Sequence, residues 1–453
     1  MNLPNYFLAD LSDPAALSPG IVRDACETLK QNRERYLVER TTSSLIRIVS
    51  SVAQNWLEPN DPFRNEALER GPEATGFSCE TLATGLDDFF TQLTKENLQA
   101  LIVQEFGDLQ RLDSLSATSE EQKLDRASLV RGPELIAHIT GGVIPNSTLT
   151  SMIFGLLTRS AQFVKCATGT SFIPRLFAHA IYEAEPKLGA CLEIAEWRGG
   201  SELLEKTLFA EADCVTATGS DETLETIRKK LPHKTRFIGY GHCVSFGYVT
   251  EQVLSGMSPQ KIVTRAATDV VAWNQLGCLS PHVIYVESGG KISPEQFAEL
   301  LAKELEVMEQ NQPRGKLSAE ESANIAYRRS FYEVRAAHSL DTKLWRSADS
   351  TAWTVLFEND PRFQMSSLNR FIYVKAVANL TQAIQGADAV RGKISTVGIA
   401  ATEDRAKEIA GELARWGVTR ICPLGQMQNP SLLWRHDGRP SLGDLVTWTD
   451  WEM

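Results

Sequence analysis

From Leu135 onward, short apolar runs alternate with helix-period segments, and this alternation constrains the fold more than any other feature of the chain. Leu135-Ile-Ala-His-Ile139 suits a strand, residues 147 to 158 a helix, and Gln162-Phe-Val-Lys165 the next strand. Helix 171 to 183, strand 191 to 195, helix 200 to 208, strand 214 to 217 and helix 221 to 230 continue the series. Strands separated by helices pair in parallel, so a parallel sheet covered by helices is predicted.

A second α/β block follows Cys278, starting with strand 282 to 287. Ser293-Pro-Glu-Gln296 and Ser318-Ala-Glu-Glu321 carry capping-box chemistry at two helix starts. Strands are expected near 352 to 357, 370 to 375, 394 to 400 and 419 to 422, and the polar stretch 307 to 318 suits a surface turn. Upstream, residues 19 to 110 carry helical periodicity and are expected to form a cap or wall. The predicted class is α/β, with two α/β domains and a helical N-terminal region. The helical region with the first α/β domain occupies 1–243, the second α/β domain 244–425 and a tail 426–453.

Composition narrows the functional classes. A hydrophobic fraction of 43% and a charged fraction of 23% suit a globular chain, and a formal charge of −11 argues against a nucleic-acid partner, which needs clustered Lys and Arg. No apolar run approaches the ~18 residues of a membrane span, and the N-terminus lacks a basic signal-peptide region. The eight cysteines contain no CxxC pair and the histidines no HExxH spacing, so neither a metal site nor a disulfide framework is indicated, and a cytoplasmic location is expected. GxGxxG, Walker-A and GxSxG motifs are absent.

Several residues remain as candidates for chemistry. Cys278 ends a glycine-containing loop before a strand, where a thiol and its own N–H can face a reacting carbonyl. The same placement suits a small apolar side chain packed under residues 283 to 286. Thr218-Gly-Ser220 opens a helix and can present N–H groups to a pyrophosphate, or can be a plain N-cap. Lys165 and the Trp197-Arg-Gly-Gly200 segment fall at carboxyl ends of predicted strands, where ligands of open α/β sheets gather. His242, in a glycine-bearing turn, is either a proton donor or a hydrogen-bonded structural histidine.

The order of these pieces resembles the aldehyde dehydrogenase superfamily, and more closely its LuxC-like fatty acyl-CoA reductases. The resemblance rests on Gly141-Gly-Val-Ile-Pro-Asn-Ser-Thr-Leu-Thr-Ser151, Gly155-Leu-Leu157, Val164-Lys165, Trp197-Arg-Gly-Gly200, Ala217-Thr-Gly-Ser220, Cys278-Leu-Ser-Pro281, Arg420-Ile-Cys-Pro-Leu-Gly425 and His436-Asp-Gly438, across roughly residues 75 to 453. It implies reduction of an acyl thioester to an aldehyde, with Cys278 as nucleophile, Lys165 at the adenosine ribose or its phosphate, and Gly219 and Ser220 at the pyrophosphate. Many NAD-using relatives carry Glu three residues after that lysine; this chain has Thr168, which favours NADPH over NADH, with Arg198 adding attraction. The aligned general-base turn is Gly239-Tyr-Gly-His242, without a carboxylate, so hydrolysis of an acyl-enzyme is expected to be slow. Relatives place an Asn before the proline element for the oxyanion hole; here Val143 precedes Ile144-Pro145 and Asn146 follows it. The implied partners are an acyl-CoA or acyl-carrier-protein thioester, an acyltransferase or acyl-protein synthetase, and a second copy of the chain. An aldehyde-oxidising dehydrogenase and a non-catalytic scaffold are the alternatives.

Overall fold

The computed structural model describes residues 3–11, 17–256 and 258–452. They fold as two compact units. Met1–Thr75, Leu86–Gly241 and Ser431–Met453 form the first, and Gly76–Gly85 with His242–Pro430 the second.

The first unit contains β1 (Arg126–Arg131), β2 (Leu135–Ile139), β3 (Ala161–Cys166), β4 (Leu192–Glu196), β5 (Cys214–Thr218) and β6 (Arg236–Tyr240). Strands β2 to β6 form a parallel sheet in the order β4-β3-β2-β5-β6. The chain steps outward from β2 to β3 and β4, then returns to lay β5 and β6 on the opposite side. The order therefore reverses between β2 and β5, where doubly wound sheets open a crevice at their carboxyl edge. Alternate residues face opposite sides, as strand pleating requires. Leu135, Ala137, Phe163 and Val215 join Val22, Cys26 and Leu29 of helix Pro19–Tyr36. Ile136, Val164 and Ile194 join helices Thr42–Leu57, Asn146–Leu157 and Phe172–Ala184. The N-terminal helices are thus outer layers of the sheet domain and not a separate cap. Each fully buried Val or Leu on such a face contributes about 1.5–3 kcal/mol.

The segment from Ser431 belongs to this unit too. Its strand Thr447–Glu452 pairs antiparallel with β1, Glu105 accepts the N–H groups of Leu442 and Gly443 at 3.1 and 3.0 Å, and Arg236 donates to the Val446 carbonyl at 2.6 Å. That strand is exposed along its whole length, so no apolar alternation marks it in the sequence.

The second unit carries β7 (Val244–Val249), β8 (Pro281–Glu287), β9 (Thr342–Arg346), β10 (Thr354–Glu358), β11 (Phe371–Val377), β12 (Ile394–Ala400) and β13 (Arg420–Pro423). Their order is β13-β12-β7-β8-β11-β10-β9, parallel except for β9. Val283 and Tyr285 of β8 face one core, Ile284 and Val286 the other. Both capping boxes form, at Ser293 with Gln296 and at Ser318 with Glu321. Helix Pro294–Asn311 continues through residues 307 to 311, whose polarity suits a turn, because Leu305 is buried in the core and Met308 packs against it.

Candidate active site

Cys278 belongs to the second unit, is exposed, and stands at the amino end of β8. The chain reaches it through three consecutive left-handed residues, Trp273, Asn274 and Gln275, with φ of 49°, 52° and 64°. For side chains other than glycine this conformation costs about 1–2 kcal/mol per residue, so neighbours must hold it. They do: Asn274 Nδ2 donates to the Arg314 carbonyl at 2.6 Å, and Arg370 Nε donates to Asn274 Oδ1 at 3.1 Å. Gln275, fully buried, donates through Nε2 to the Pro281 and Phe371 carbonyls at 2.7 and 3.0 Å. Arg370 is itself the third of another left-handed run, Leu368-Asn-Arg370, at the start of β11. Two strained turns at the amino ends of adjacent strands are thereby bonded to each other.

Beyond the nucleophile candidate, the Ser245 hydroxyl donates to the Cys278 carbonyl at 2.7 Å, and Gln428 Nε2 donates to Ser280 Oγ. Gly277 lies against the Gln428 amide so closely that any side chain there would collide with it. Arg420, on β13, donates to the Met427 and Gln426 carbonyls at 2.6 and 2.8 Å. Burial lowers its pKa, while Cys422, Asp269 and Cys278 act in the opposite direction, so its guanidinium is a cation electrostatically coupled to the Cys278 sulfur. Asp269 accepts from the Gly425 and Met427 N–H groups at 2.5 and 2.8 Å, and burial pushes it up to about 7. His242 is exposed just before β7. Burial, with a smaller contribution from the neighbouring His242, brings the pKa of His282 down to about 4.

The other candidates lie in the first unit along the carboxyl edge of its sheet. Lys165, the last residue but one of β3, lies opposite Ile139, is 4% exposed, and holds Nζ 5.9 Å from the Trp197 ring centroid. Burial lowers its pKa, against the pull of Glu205 and Glu196. The buried Trp197 Nε1 has no hydrogen-bond partner among the described residues. Thr168 and Arg198 are exposed nearby in sequence, in the loops leaving β3 and β4. At the end of β5, Ser220 caps helix Asp221–Lys230 by accepting the Thr223 N–H at 3.2 Å, and the Gly219 N–H donates to the Tyr240 carbonyl at 3.2 Å. Those two groups of the Thr218-Gly-Ser220 turn are therefore engaged within the protein. Gly141, leaving β2, approaches so near that a Cβ there would lie 2.6 Å from the Thr218 carbonyl oxygen. Asn146 is the first residue of helix Asn146–Leu157, and its carbonyl accepts from Thr150 Oγ1 at 2.8 Å.

Two further groups bear on these edges without standing out in the sequence. Glu196, at the carboxyl end of β4, accepts from the Gly169 N–H at 2.8 Å and from the Ser171 hydroxyl at 2.5 Å. Its position after an apolar strand carries the same signal as Lys165. Ser245 carries none, because its contact with the Cys278 loop arises only in the folded sheet. No group of three or more His, Cys, Asp or Glu side chains among the described residues could hold a metal ion.

The acyl-CoA reductase (LuxC) family profile matches residues 37–448. The chain belongs to that family. A long-chain acyl-protein thioester reductase of Aliivibrio fischeri is 24% identical over 326 residues, covering 70% of this chain and 63% of that protein. One of Photorhabdus luminescens is 22% identical over 415 residues, covering 90% of this chain and 82% of the relative. The matched region thus spans about 63% of the length of several relatives. Among solved structures, glyceraldehyde-3-phosphate dehydrogenase GapN of Methanocaldococcus jannaschii, complexed with NADP, superposes with TM-score 0.68 at 14% identity, covering 96% of this chain and 94% of that one. A bifunctional proline utilization A protein gives TM-score 0.72 at 15% identity over 96% of this chain and 45% of its own. The fold is that of aldehyde dehydrogenases, as the LuxC-like motifs implied.

Proposed function

We propose that the chain reduces an acyl thioester to an aldehyde through a covalent acyl group on Cys278, with a reduced nicotinamide as electron donor. The observation that carries this reading is the exposure of Cys278 at the tip of a loop held by buried hydrogen bonds at Asn274 and Gln275, on the same sheet as the Arg420 cation. A neighbouring cation favours the thiolate, the form that attacks carbonyl carbon. The thiolate adds to the thioester carbonyl, a tetrahedral oxyanion forms, and the carbon–sulfur bond to the donor thiol breaks, leaving an S-acyl cysteine and a departing thiolate. The Cys278 N–H and Asn146 are the proposed oxyanion donors, and His242 the proposed proton donor. When bound, the nicotinamide supplies the hydride that an acyl group needs to leave as aldehyde.

The first unit fits such a donor. Its sheet reverses order between β2 and β5, a Cβ added at Gly142 in the loop leaving β2 would meet nothing within 4 Å, and the Trp197 indole leaves a buried donor unmatched. Gly219 and Ser220 are the proposed pyrophosphate turn, Lys165 and Trp197 the adenosine side, and Thr168 with Arg198 the feature favouring NADPH. The Gly239-Tyr-Gly-His242 turn offers no carboxylate base. Tyr240 there has its pKa pushed up to about 12 by burial, so it stays neutral and cannot activate water.

The names of the relatives favour a protein-bound thioester; acyl-CoA shares the chemistry. The deciding experiment is peptide mass spectrometry after incubation with long-chain acyl-CoA, or acylated carrier protein, without cofactor. An acyl mass on the Cys278 peptide that disappears when NADPH is added, with aldehyde released, is expected. No label from either donor ends the reading.

A further inference from the structure

We infer that Ser245 is a positioning residue for Cys278, an inference that rests on the nucleophilic role proposed above. The second sheet is irregular around this serine. Strand β7 lies between β12 and β8, and both neighbours bulge at the level of Ser245. On one side Val244 and Ser245 face Ile394 and Thr396, so Ser395 is the extra residue; on the other Ser245 and Phe246 face Pro281 and Val283, so His282 is extra. A bulge takes a residue out of the ladder and bends the strand locally, and bulges gather beside active sites where they re-aim a side chain.

Ser245 takes up what the bulges disturb. Its side chain is fully buried, and its hydroxyl accepts the Thr396 N–H at 3.1 Å while donating to the Cys278 carbonyl at 2.7 Å. Thr396 in turn accepts Arg420 Nη1 on its hydroxyl at 3.4 Å, so one hydrogen-bonded line runs from β13 through β12 and β7 to the loop. A hydroxyl is the smallest side-chain group that accepts and donates at once. Alanine has neither function. With the Cys278 carbonyl held, ψ of Cys278 is fixed, and ψ is one of the two soft torsions that aim its Cβ and thiol. The left-handed residues hold the loop from its amino side and Ser245 from the cysteine itself, which fixes the Cα–Cβ direction and leaves only χ1 to place the exposed thiol. Proximity effects make nucleophilic attack sensitive to displacements of about 1 Å.

The test measures three quantities in the full chain for Ser245→Ala, Ser245→Cys and Ser245→Thr: the rate of Cys278 acylation by acyl-CoA, the rate of its alkylation by iodoacetamide, and the NADPH dissociation constant. Alanine and cysteine are expected to slow acylation about tenfold and to leave NADPH binding unchanged, while threonine, which keeps the hydroxyl, returns to within about threefold of the parent. Alkylation by a small, undemanding electrophile should change less than acylation. Equal acylation rates in the parent and the alanine variant overturn the positioning role. So does a threonine variant as slow as alanine, and so does loss of folding in both alanine and cysteine variants, which marks a purely structural residue. If the parent itself takes no acyl label, the functional reading fails and the positioning role fails with it, whereas a labelled parent matched by its alanine variant overturns the positioning role alone.

Discussion

The two sheets present their candidate chemistry in opposite ways. In the first unit the residues lie at the carboxyl edge on loops that leave room: a Cβ added at Gly142 would meet nothing within 4 Å, and Thr168 and Arg198 are exposed. In the second unit Cys278 lies at the amino edge on a loop bonded at Asn274, Gln275, Cys278 and Ser280. A site that binds a large ligand needs vacant volume and a few directed polar groups, whereas a nucleophile needs one atom held in one place. The strain at Trp273, Asn274 and Gln275 is offset by buried hydrogen bonds, and among the described residues the first rim carries no such left-handed run.

Cys278→Ala is expected to have the largest effect, abolishing acyl labelling and lowering turnover by at least about 10³-fold while NADPH binding in a fluorescence titration is retained. Retained turnover would erase the functional contrast between the two edges. The next effect belongs to the first sheet. His138 is buried between Thr216 Oγ1 and Gln162 Oε1, at 2.7 and 3.0 Å, and burial pulls its pKa from 6.5 down to about 4. The folded state therefore binds a proton less readily than the unfolded one. Stability is fully present above pH 6.5 and is lost as pH falls toward 4, by about 3 kcal/mol across that window. His138→Gln should flatten the corresponding part of a pH series of denaturant unfolding curves, and an unchanged slope would refute the assignment. Gln275→Ala, which strips the Pro281 and Phe371 carbonyls of a buried donor, should cost about 2 kcal/mol in the same unfolding experiment and slow Cys278 alkylation at constant NADPH affinity.

The contrast also explains what could be read in the sequence. Capping boxes at Ser293 and Ser318, and strands such as β2 and β12, are local signals, and they appear where residue pattern placed them. Strand β7 escapes the sequence reading although all six of its residues are buried, because Val244, Phe246 and Tyr248 alternate only with Ser245 and Gly247, a short run that follows directly on a glycine-bearing turn and reads as its continuation. Thr447–Glu452 is hidden for the reverse reason, being exposed throughout. Cys278 stands out through its own loop and strand. Ser245, 33 residues earlier, does not, because its role depends on two bulges in other strands that no local pattern specifies. Lys165 is visible at a strand end, but the carboxylates electrostatically coupled to it come from other strands and helices, and they bear on the choice of cofactor.

That choice gives the smallest and most selective test of the open edge. In the proposed cofactor site Thr168 removes one carboxylate from the ribose side, yet Glu196 remains at the end of β4, fastened by the Gly169 N–H and the Ser171 hydroxyl and electrostatically coupled to Lys165. A carboxylate there repels a 2′-phosphate and can accept from a 2′-hydroxyl, opposing the pull of Arg198. Glu196→Gln keeps an acceptor for the loop and removes only the charge. Between partly solvated charges the lost repulsion amounts to about 1 kcal/mol, so the ratio of NADH to NADPH dissociation constants should rise about fivefold in favour of NADPH. Because the residues are partly solvated, the gain should shrink as salt is raised from about 0.01 to about 0.3 M, following the roughly 30 to 6 Å fall in screening length. A ratio that does not move would place the 2′-phosphate away from β4 and leave Lys165 without a role in discriminating the two cofactors.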